Sequence, residues 1–89
     1  MKFNDLLFRS QKYTQGMQAV VIFPNGYGAS VVHHSFSYGN AEGLYELAVI
    51  KGKNETEWEL CYDTEITDDV LGYLKPSDID ELLVKIEEI

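Results

Sequence analysis

The chain has 89 residues, of which 45% are hydrophobic, and it carries a formal net charge of −8 at pH 7. A chain of this length builds one hydrophobic core, so a single domain over residues 1–89 is predicted. The excess of carboxylates argues against direct binding to nucleic acid, because nonspecific affinity for phosphates comes from Lys and Arg. The first residues lack the apolar region of a signal peptide, and no stretch reaches the roughly 18 apolar residues of a membrane helix. We therefore predict a cytoplasmic protein without membrane contact.

Cysteine usage agrees with that compartment. Cys61 is the only cysteine, so it cannot form an internal disulfide. No Cys and His cluster has the spacing of zinc ligands. No structural metal and no cofactor are therefore predicted, and a reducing cytoplasm suits the chain.

The first segment is predicted to be a short helix. Phe3, Leu6 and Leu7 would fall on one side of this helix. Asn4 can cap its N-terminus, and we expect the helix to end near Lys12.

A β-hairpin is predicted next. Gln18–Phe23 is rich in β-branched residues and is followed by Pro24-Asn25-Gly26. The Asn-Gly pair is the strongest short signal for a hairpin turn. If the turn has two residues, Phe23 faces Gly28, and both faces of the hairpin are apolar.

The third and fourth strands are predicted at Leu44–Lys51 and Glu57–Tyr62, with a turn at 52–54 between them. The fourth strand alternates cleanly between two kinds of side chain. Its apolar face is expected to pair with the third strand and form the core, with Trp58, Leu60 and Tyr62 opposite Val49, Leu47 and Tyr45. Cys61 would then lie on the other face.

The C-terminal part holds a second helix. Residues 63–74 fit either a turn of helix or a short edge strand, and both interpretations stay open. Pro76 and Ser77 begin the final helix, with Ser77 as the N-cap. Its apolar stripe consists of Ile79, Leu82, Leu83, Ile86 and Ile89. The predicted fold is α+β: a four-stranded antiparallel meander flanked by a short N-terminal helix and a C-terminal amphipathic helix.

The adjacent histidines His33 and His34 are the first candidates for chemistry. Neighbouring residues of a strand point to opposite faces, so the pair cannot bind one metal ion without a bulge. If Phe36 pairs with Leu44, His34 meets Glu46 on the outer face and His33 joins the core, whereas a shift of one residue reverses this. A histidine satisfied by a hydrogen bond, or paired with Glu46, is favoured over a catalytic base.

No complete catalytic, metal or nucleotide motif is present elsewhere. A short segment holds four carboxylates that could attract a divalent cation: Asp63, Glu65, Asp68 and Asp69. The central Gly and the closing Glu of an EF-hand are missing, so a solvated acidic loop is favoured. No catalytic, metal-binding or cofactor-binding residues are therefore predicted, and we expect the protein not to be an enzyme.

The second face of the sheet is the more informative feature. One apolar side of the first hairpin continues onto Ala48 and Ile50, and two short helices can hardly cover both sides of a sheet. This face is either an interface or is covered by the N-terminal segment, and both interpretations stay open. The candidate interaction surface consists of Val31, His33, His34, Glu46, Ala48, Ile50, Glu57 and Glu59.

Three stretches carry a resemblance to a known family: NGYGASVVHHSFSYG (25–39), GLYELAVIK (43–51) and WELCYDTEITDDVLGYL (58–74), followed by an acidic helix. In order and spacing they resemble a family of small uncharacterised proteins encoded by bacteriophages and prophages, mainly of Gram-positive bacteria. The resemblance covers nearly the whole chain after the first helix. It implies a phage origin and an α+β fold, and it brings no catalytic residues.

Three functional hypotheses follow. The first is a non-enzymatic phage or prophage accessory protein that binds protein, as a homodimer and with a host or phage protein. The second is an acidic mimic of DNA that inhibits a host DNA-binding protein, which requires one continuous surface of Glu57, Glu59, Asp63, Glu65, Asp68 and Asp69. The third is a small enzyme or a small-molecule-binding protein that sequesters a ligand, with a pocket beside His33 or His34 and Tyr38.

Overall fold

The computed structural model describes residues 1–10, 16–34, 45–61 and 71–89. The predictions for Tyr38, Tyr62 and the acidic segment 63–69 lie outside these residues. The described chain contains a 3-10 turn, six strands and one helix: the turn Phe3–Asp5, β1 (Arg9–Ser10), β2 (Gly16–Ile22), β3 (Tyr27–His34), β4 (Tyr45–Asn54), β5 (Glu57–Leu60), β6 (Leu71–Leu74) and α1 (Pro76–Glu87).

The six strands form one antiparallel sheet in the order β1-β2-β3-β4-β5, with β6 paired to β4. β5 pairs with the C-terminal half of β4, and β6 pairs with its N-terminal half. The α+β class, with an antiparallel sheet and a C-terminal helix, is confirmed. The prediction of four strands is wrong, because β1 and β6 are too short, at two and four residues, to show a period-2 pattern in the sequence. The edge strand among the two interpretations of 63–74 is observed over Leu71–Leu74.

The predicted N-terminal helix is wrong, because only the 3-10 turn Phe3–Asp5 forms. Isolated helices shorter than about 12 residues are marginal in water, so tertiary contacts decide this segment. Arg9–Ser10 gains a strand partner in β2. The Phe3 N–H donates to Asp80 Oδ1 of α1 at 2.6 Å. The segment therefore lies beside α1 and continues as an edge strand.

The β2–β3 hairpin is present, but its turn has three residues. The Phe23 N–H donates to Tyr27 O at 2.8 Å, and the Gly26 N–H donates to Phe23 O at 2.9 Å. Gly26 has φ of 87°, the left-handed conformation that completes a type I turn followed by a bulge. A proline before Asn-Gly suits position i+1 of such a turn, which explains the longer loop. The predicted register is wrong by one residue, and Val21 lies opposite Ala29.

The β4–β5 turn lies three residues later than predicted. β4 extends to Asn54, whose Oδ1 accepts the N–H groups of Thr56 and Glu57 at 2.9 and 3.0 Å. Gly52 allows the strands to coil tightly here, because a Cβ on it would lie 2.2 Å from Glu57 O. The register between β4 and β5 thus differs from the predicted one by three residues. An odd shift of register moves every side chain of the following strand to the other face.

That shift overturns the predicted core face of β5. Leu60 pairs with Ile50 and is 49% exposed. Trp58 lies opposite Gly52 and is half-buried. Cys61, which was expected on the other face, belongs to the hydrophobic core.

The core lies between the sheet and α1, on a side we call the helix face. Its buried members are Phe23, Ala29, Val31, Leu47, Val49, Cys61, Ile79, Leu83 and Ile86. The predicted apolar stripe of α1 is confirmed for the residues that pack here, whereas Ile89 is 45% exposed. The helix begins at Pro76 with Lys75 as N-cap, two residues before the predicted Ser77 cap. The Lys75 N–H donates to Asp78 Oδ2 at 2.9 Å.

The β2–β3 turn also holds the end of α1. Asn25 Nδ2 donates to the carbonyl oxygens of Ile86 at 2.9 Å, Glu87 at 3.2 Å and Ile89 at 3.2 Å. The last carbonyl groups of a helix have no partner within the helix, so this side chain supplies their donor. The helix is therefore fixed to the first hairpin at one end and to the N-terminal segment by Asp80.

Candidate interaction site at the open edge of β2

β2 has a strand partner along only part of its outer edge. β1 pairs with β2 at two positions, Arg9↔Gln18 and Ser10↔Met17. Beyond Gln18, residues 19–22 are paired with β3 alone among the described strands. This half of β2 is therefore an edge of the sheet.

The direction of the backbone groups follows from the hairpin. Because the Phe23 N–H donates to Tyr27 O, the alternation of an antiparallel ladder directs the amides of Val21 and Ala19 toward β3 as well. Those of Val20 and Ile22 then point away from β3. Within the described ranges, no backbone hydrogen bond reaches these outward groups. Two donors and two acceptors are thus available in a row.

The composition of this edge is unusual. Exposed edge strands normally carry charged residues or proline, which prevent pairing with another chain. β2 reads GMQAVVI and contains neither. Exposed apolar side chains stand nearby, since Leu7 is 75% and Met17 is 37% exposed. The strand itself therefore carries neither a charge nor a proline that would prevent pairing with a further strand.

A groove follows this edge, and we call it the β2 groove. Its first part is a cleft of about 280 Å³ between the N-terminal segment and β2, and its second is a shallower depression of about 640 Å³ at the end of β2. Glu55 and Thr56 of the β4–β5 turn line both parts. The wall formed by β2 and its turn consists of Gln18, Val20, Val21, Ile22, Phe23 and Pro24. At the rise of an extended chain, this wall is about 20 Å long.

Four charged side chains border the β2 groove. Arg9 and Asp5 line the first part, Lys53 lines the second, and Glu55 belongs to both. Two cations and two anions balance each other locally. The net charge of −8 carried by the rest of the molecule therefore decides which partners are attracted at long range.

A buried hydrogen bond orders the wall of the first part. Gln18 Nε2 donates to Ser30 Oγ at 2.9 Å, and Ser30 is 5% exposed. This bond satisfies a polar group that would be costly to bury alone. The side chain of Gln18 is thus held on the outer face, the side of the sheet opposite α1.

The predicted interaction surface is divided by the fold. Val31 lies in the core beneath α1. Ala48 and Ile50 lie on the outer face as predicted, but they are only 7% and 0% exposed, so they offer no exposed patch. Phe3 and Phe8 of the N-terminal segment pack against the core of the helix face, on the side of the sheet opposite Ala48 and Ile50.

The two histidines are separated in the same way. His33 lies half-buried on the helix face, with its ring 4.9 Å from the ring of Tyr45. His34 ends β3 opposite Gly16. In the strand register, Glu46 lies opposite Val32, whereas the prediction put it opposite His34. A shift of two residues keeps each side chain on its face, so His33 lies on the predicted side.

The acidic residues predicted on the outer surface are only partly described. Glu57 and Glu59 are exposed on β5. The other carboxylates required for imitation of DNA lie in 63–69, outside the described residues. Of the six carboxylates that the DNA-mimic hypothesis requires, the structure therefore describes only Glu57 and Glu59.

The open edge of β2 was not among the predicted sites. The signal in the sequence was an uncharged stretch, 16–24, with apolar residues on both faces. Its position at an edge depends on β1, whose two residues show no pattern. The predicted N-terminal helix includes Arg9 and Ser10, so the sequence did not indicate that they form a strand beside β2.

Comparison with family models, with curated proteins and with solved structures gave no match to this chain. No helix in the described ranges is long and apolar enough to cross a membrane. Among the same residues, no group of three or more His, Cys, Asp or Glu side chains could hold a metal ion. The open edge of β2 and the β2 groove are the described features that suggest a function.

Proposed function

We propose that this protein is a non-enzymatic accessory protein that acts by binding another protein, and that it does so along the β2 groove. The observation that carries the proposal is the uncharged edge of β2, whose Val20 and Ile22 backbone groups have no partner among the described residues. Such an edge is a template for main-chain pairing.

The arrangement suits a polypeptide better than a small molecule. Alternating N–H and C=O groups in a row match the main chain of an extended segment. The groove is elongated, and alternate side chains of a bound segment would meet the apolar residues Val20 and Ile22. Specificity would come from those side chains, and affinity from the main chain.

The resemblance to phage-encoded proteins guides the choice of partner. It supports a role in the cytoplasm of a bacterial host, where either a host protein or another phage protein would be bound. A second copy of the chain is the other partner expected from the sequence.

The test is affinity purification with quantitative mass spectrometry from phage-infected Gram-positive cells. Val20→Pro removes an outward N–H without touching the ladder to β3, which an edge strand tolerates. Val84→Ala is the matched control, because Val84 is 45% exposed on α1. We expect a protein that is enriched by the wild type and by Val84→Ala and lost with Val20→Pro. Enrichment of no protein by the wild type would refute the proposal.

One observation favours the DNA-mimic alternative. Glu57 and Glu59 are both exposed on β5 and, two residues apart, share one side of the strand. Displacement of DNA from a host DNA-binding protein at low salt, lost on replacing both residues by glutamine, is the result expected of a mimic. Binding that persists in the glutamine variant would count against this alternative.

A further inference from the structure

We propose that the occupant of the β2 groove is an extended, positively charged segment of a partner protein, which adds to β2 as a further strand. The inference rests on the proposed function and names the chemistry of the partner. It is carried by the hydrogen-bonding edge, its boundaries, and the charge of the molecule.

The first step is the geometry of the edge. Val20 and Ile22 each present one N–H and one C=O away from β3. Together they can form four hydrogen bonds with an antiparallel segment. The row is bounded at one end by Gln18, which pairs with β1, and at the other by Pro24, which has no N–H. A segment of about five residues fits between these boundaries.

The second step concerns the side chains of that segment. Successive side chains of a strand point to opposite faces. One set would lie on the outer-face side, beside Val20 and Ile22 and opposite the β4–β5 turn. Residues such as valine suit this set, because Val20 and Ile22 on this side of β2 are themselves β-branched and apolar.

The third step distinguishes a partner protein from a second copy. Each copy carries a net charge of −8, so two copies repel each other. A basic segment of a partner protein is instead attracted by this negative charge.

The fourth step is the sign of the charge. The four charged residues that border the groove cancel, so the surrounding surface sets the preference. Glu57 and Glu59 of β5 are exposed and add to the negative field of the molecule. Such a field raises the association rate of a cationic partner and selects against an anionic one. The other set of side chains on the bound segment, which lies on the helix-face side, is therefore rich in Lys or Arg.

The experiment uses a blocked heptapeptide in which lysine and valine alternate, followed by amide NMR spectra of the full chain. We expect saturable shifts of the Val20 and Ile22 amide signals at millimolar peptide. A heptapeptide of alternating glutamate and valine is the matched probe and should bind at least about tenfold more weakly. Absence of shifts at these two amides, or equal binding of both probes, would overturn the inference.

Two further arms test strand addition itself. Of two lysine–valine probes, N-methylated on odd or on even amides, only the one methylated on the bonding side should lose affinity. Val20→Pro should weaken the unmodified probe by about tenfold, while Val84→Ala leaves it unchanged. Equal binding of the two methylated probes would exclude strand addition without depending on how the variant folds. Amide shifts that depend on protein concentration alone would identify a second copy and refute the partner segment.

Failure of this inference and failure of the proposed function have different signatures. If cells yield a partner whose capture survives Val20→Pro, the protein binds protein elsewhere and the β2 groove is not the site. If a captured partner is lost with Val20→Pro but contacts the groove through an acidic segment, strand binding stands and the charge assignment falls.

Discussion

Asn25 in the β2–β3 turn and Asn54 at the end of β4 use their carboxamides differently. Asn25 donates through Nδ2 to three carbonyl oxygens at the end of α1 and accepts the Tyr27 N–H through Oδ1 at 3.0 Å. Asn54 only accepts, from backbone and hydroxyl donors at Thr56 and from the Glu57 N–H. The same substitution should therefore affect the two positions differently.

We predict that Asn25→Asp lowers the free energy of unfolding by about 1–3 kcal/mol, because it removes the donors and puts a negative charge at the negative end of a helix. Asn54→Asp keeps its acceptor and should change the free energy by less than about 0.5 kcal/mol. Urea unfolding followed by circular dichroism measures both. Equal losses in the two variants would show that Asn25 does not cap α1.

The Asn-Gly pattern predicted a turn at Asn25, but not its contact with the helix. Ile86 is 61 residues further along the chain, and a local pattern carries no information on such a distance. The turn was thus predictable as an element, whereas the function of its side chain required the packed fold.

At the scale of elements, the position of one turn decides which side chains of β5 are buried. Trp58 and Leu60 share one side of β5, as its alternation predicts. However, β4 continues to Asn54, and the register between β4 and β5 differs by three residues from the predicted one. Clean alternation determines which residues share a face, but only the register shows which face is inside. The helix α1 was easier to predict, because its stripe does not depend on a partner's register.

The observed register predicts unequal losses of stability for Ile50 and Leu60, which lie opposite each other and are similar in size. Ile50→Ala should lower stability by about 2–5 kcal/mol, because Ile50 is fully buried. Leu60→Ala should cost less than about 1 kcal/mol, because Leu60 is 49% exposed. Chemical unfolding of the two variants measures the difference. A larger loss for Leu60 would restore the register first expected from the sequence.

Cys61 gives a second measure of the same register. Its side chain is 8% exposed and lies in the core, so a thiol reagent should reach it only when β5 opens. We expect labelling in buffer to be at least about 100-fold slower than in denaturing urea. Rapid labelling of the folded protein would place Cys61 on the exposed side.

At the scale of the whole molecule, the candidate site follows from strand order. β2 is an edge because β1 covers only Gln18 and Met17 and because the chain adds β4, β5 and β6 on the far side of β3. The sequence indicated the α+β class and a meander of β2, β3, β4 and β5, but not the short strands β1 and β6. The apolar pattern predicts an exposed site at Ala48 and Ile50, yet both residues are buried.

The net charge and the open edge of β2 act against each other, which gives a prediction for the whole molecule. At pH 7 copies with a charge of −8 repel each other, whereas near the isoelectric point of about 4.5 this repulsion disappears. We expect light scattering to show growing association as the pH approaches that value, with circular dichroism confirming that the chain stays folded. Val20→Pro should associate less than the wild type, because proline at an edge blocks main-chain pairing. Equal association of the two proteins would mean that copies meet through another surface, and a stable dimer at pH 7 would favour the homodimer expected from the sequence.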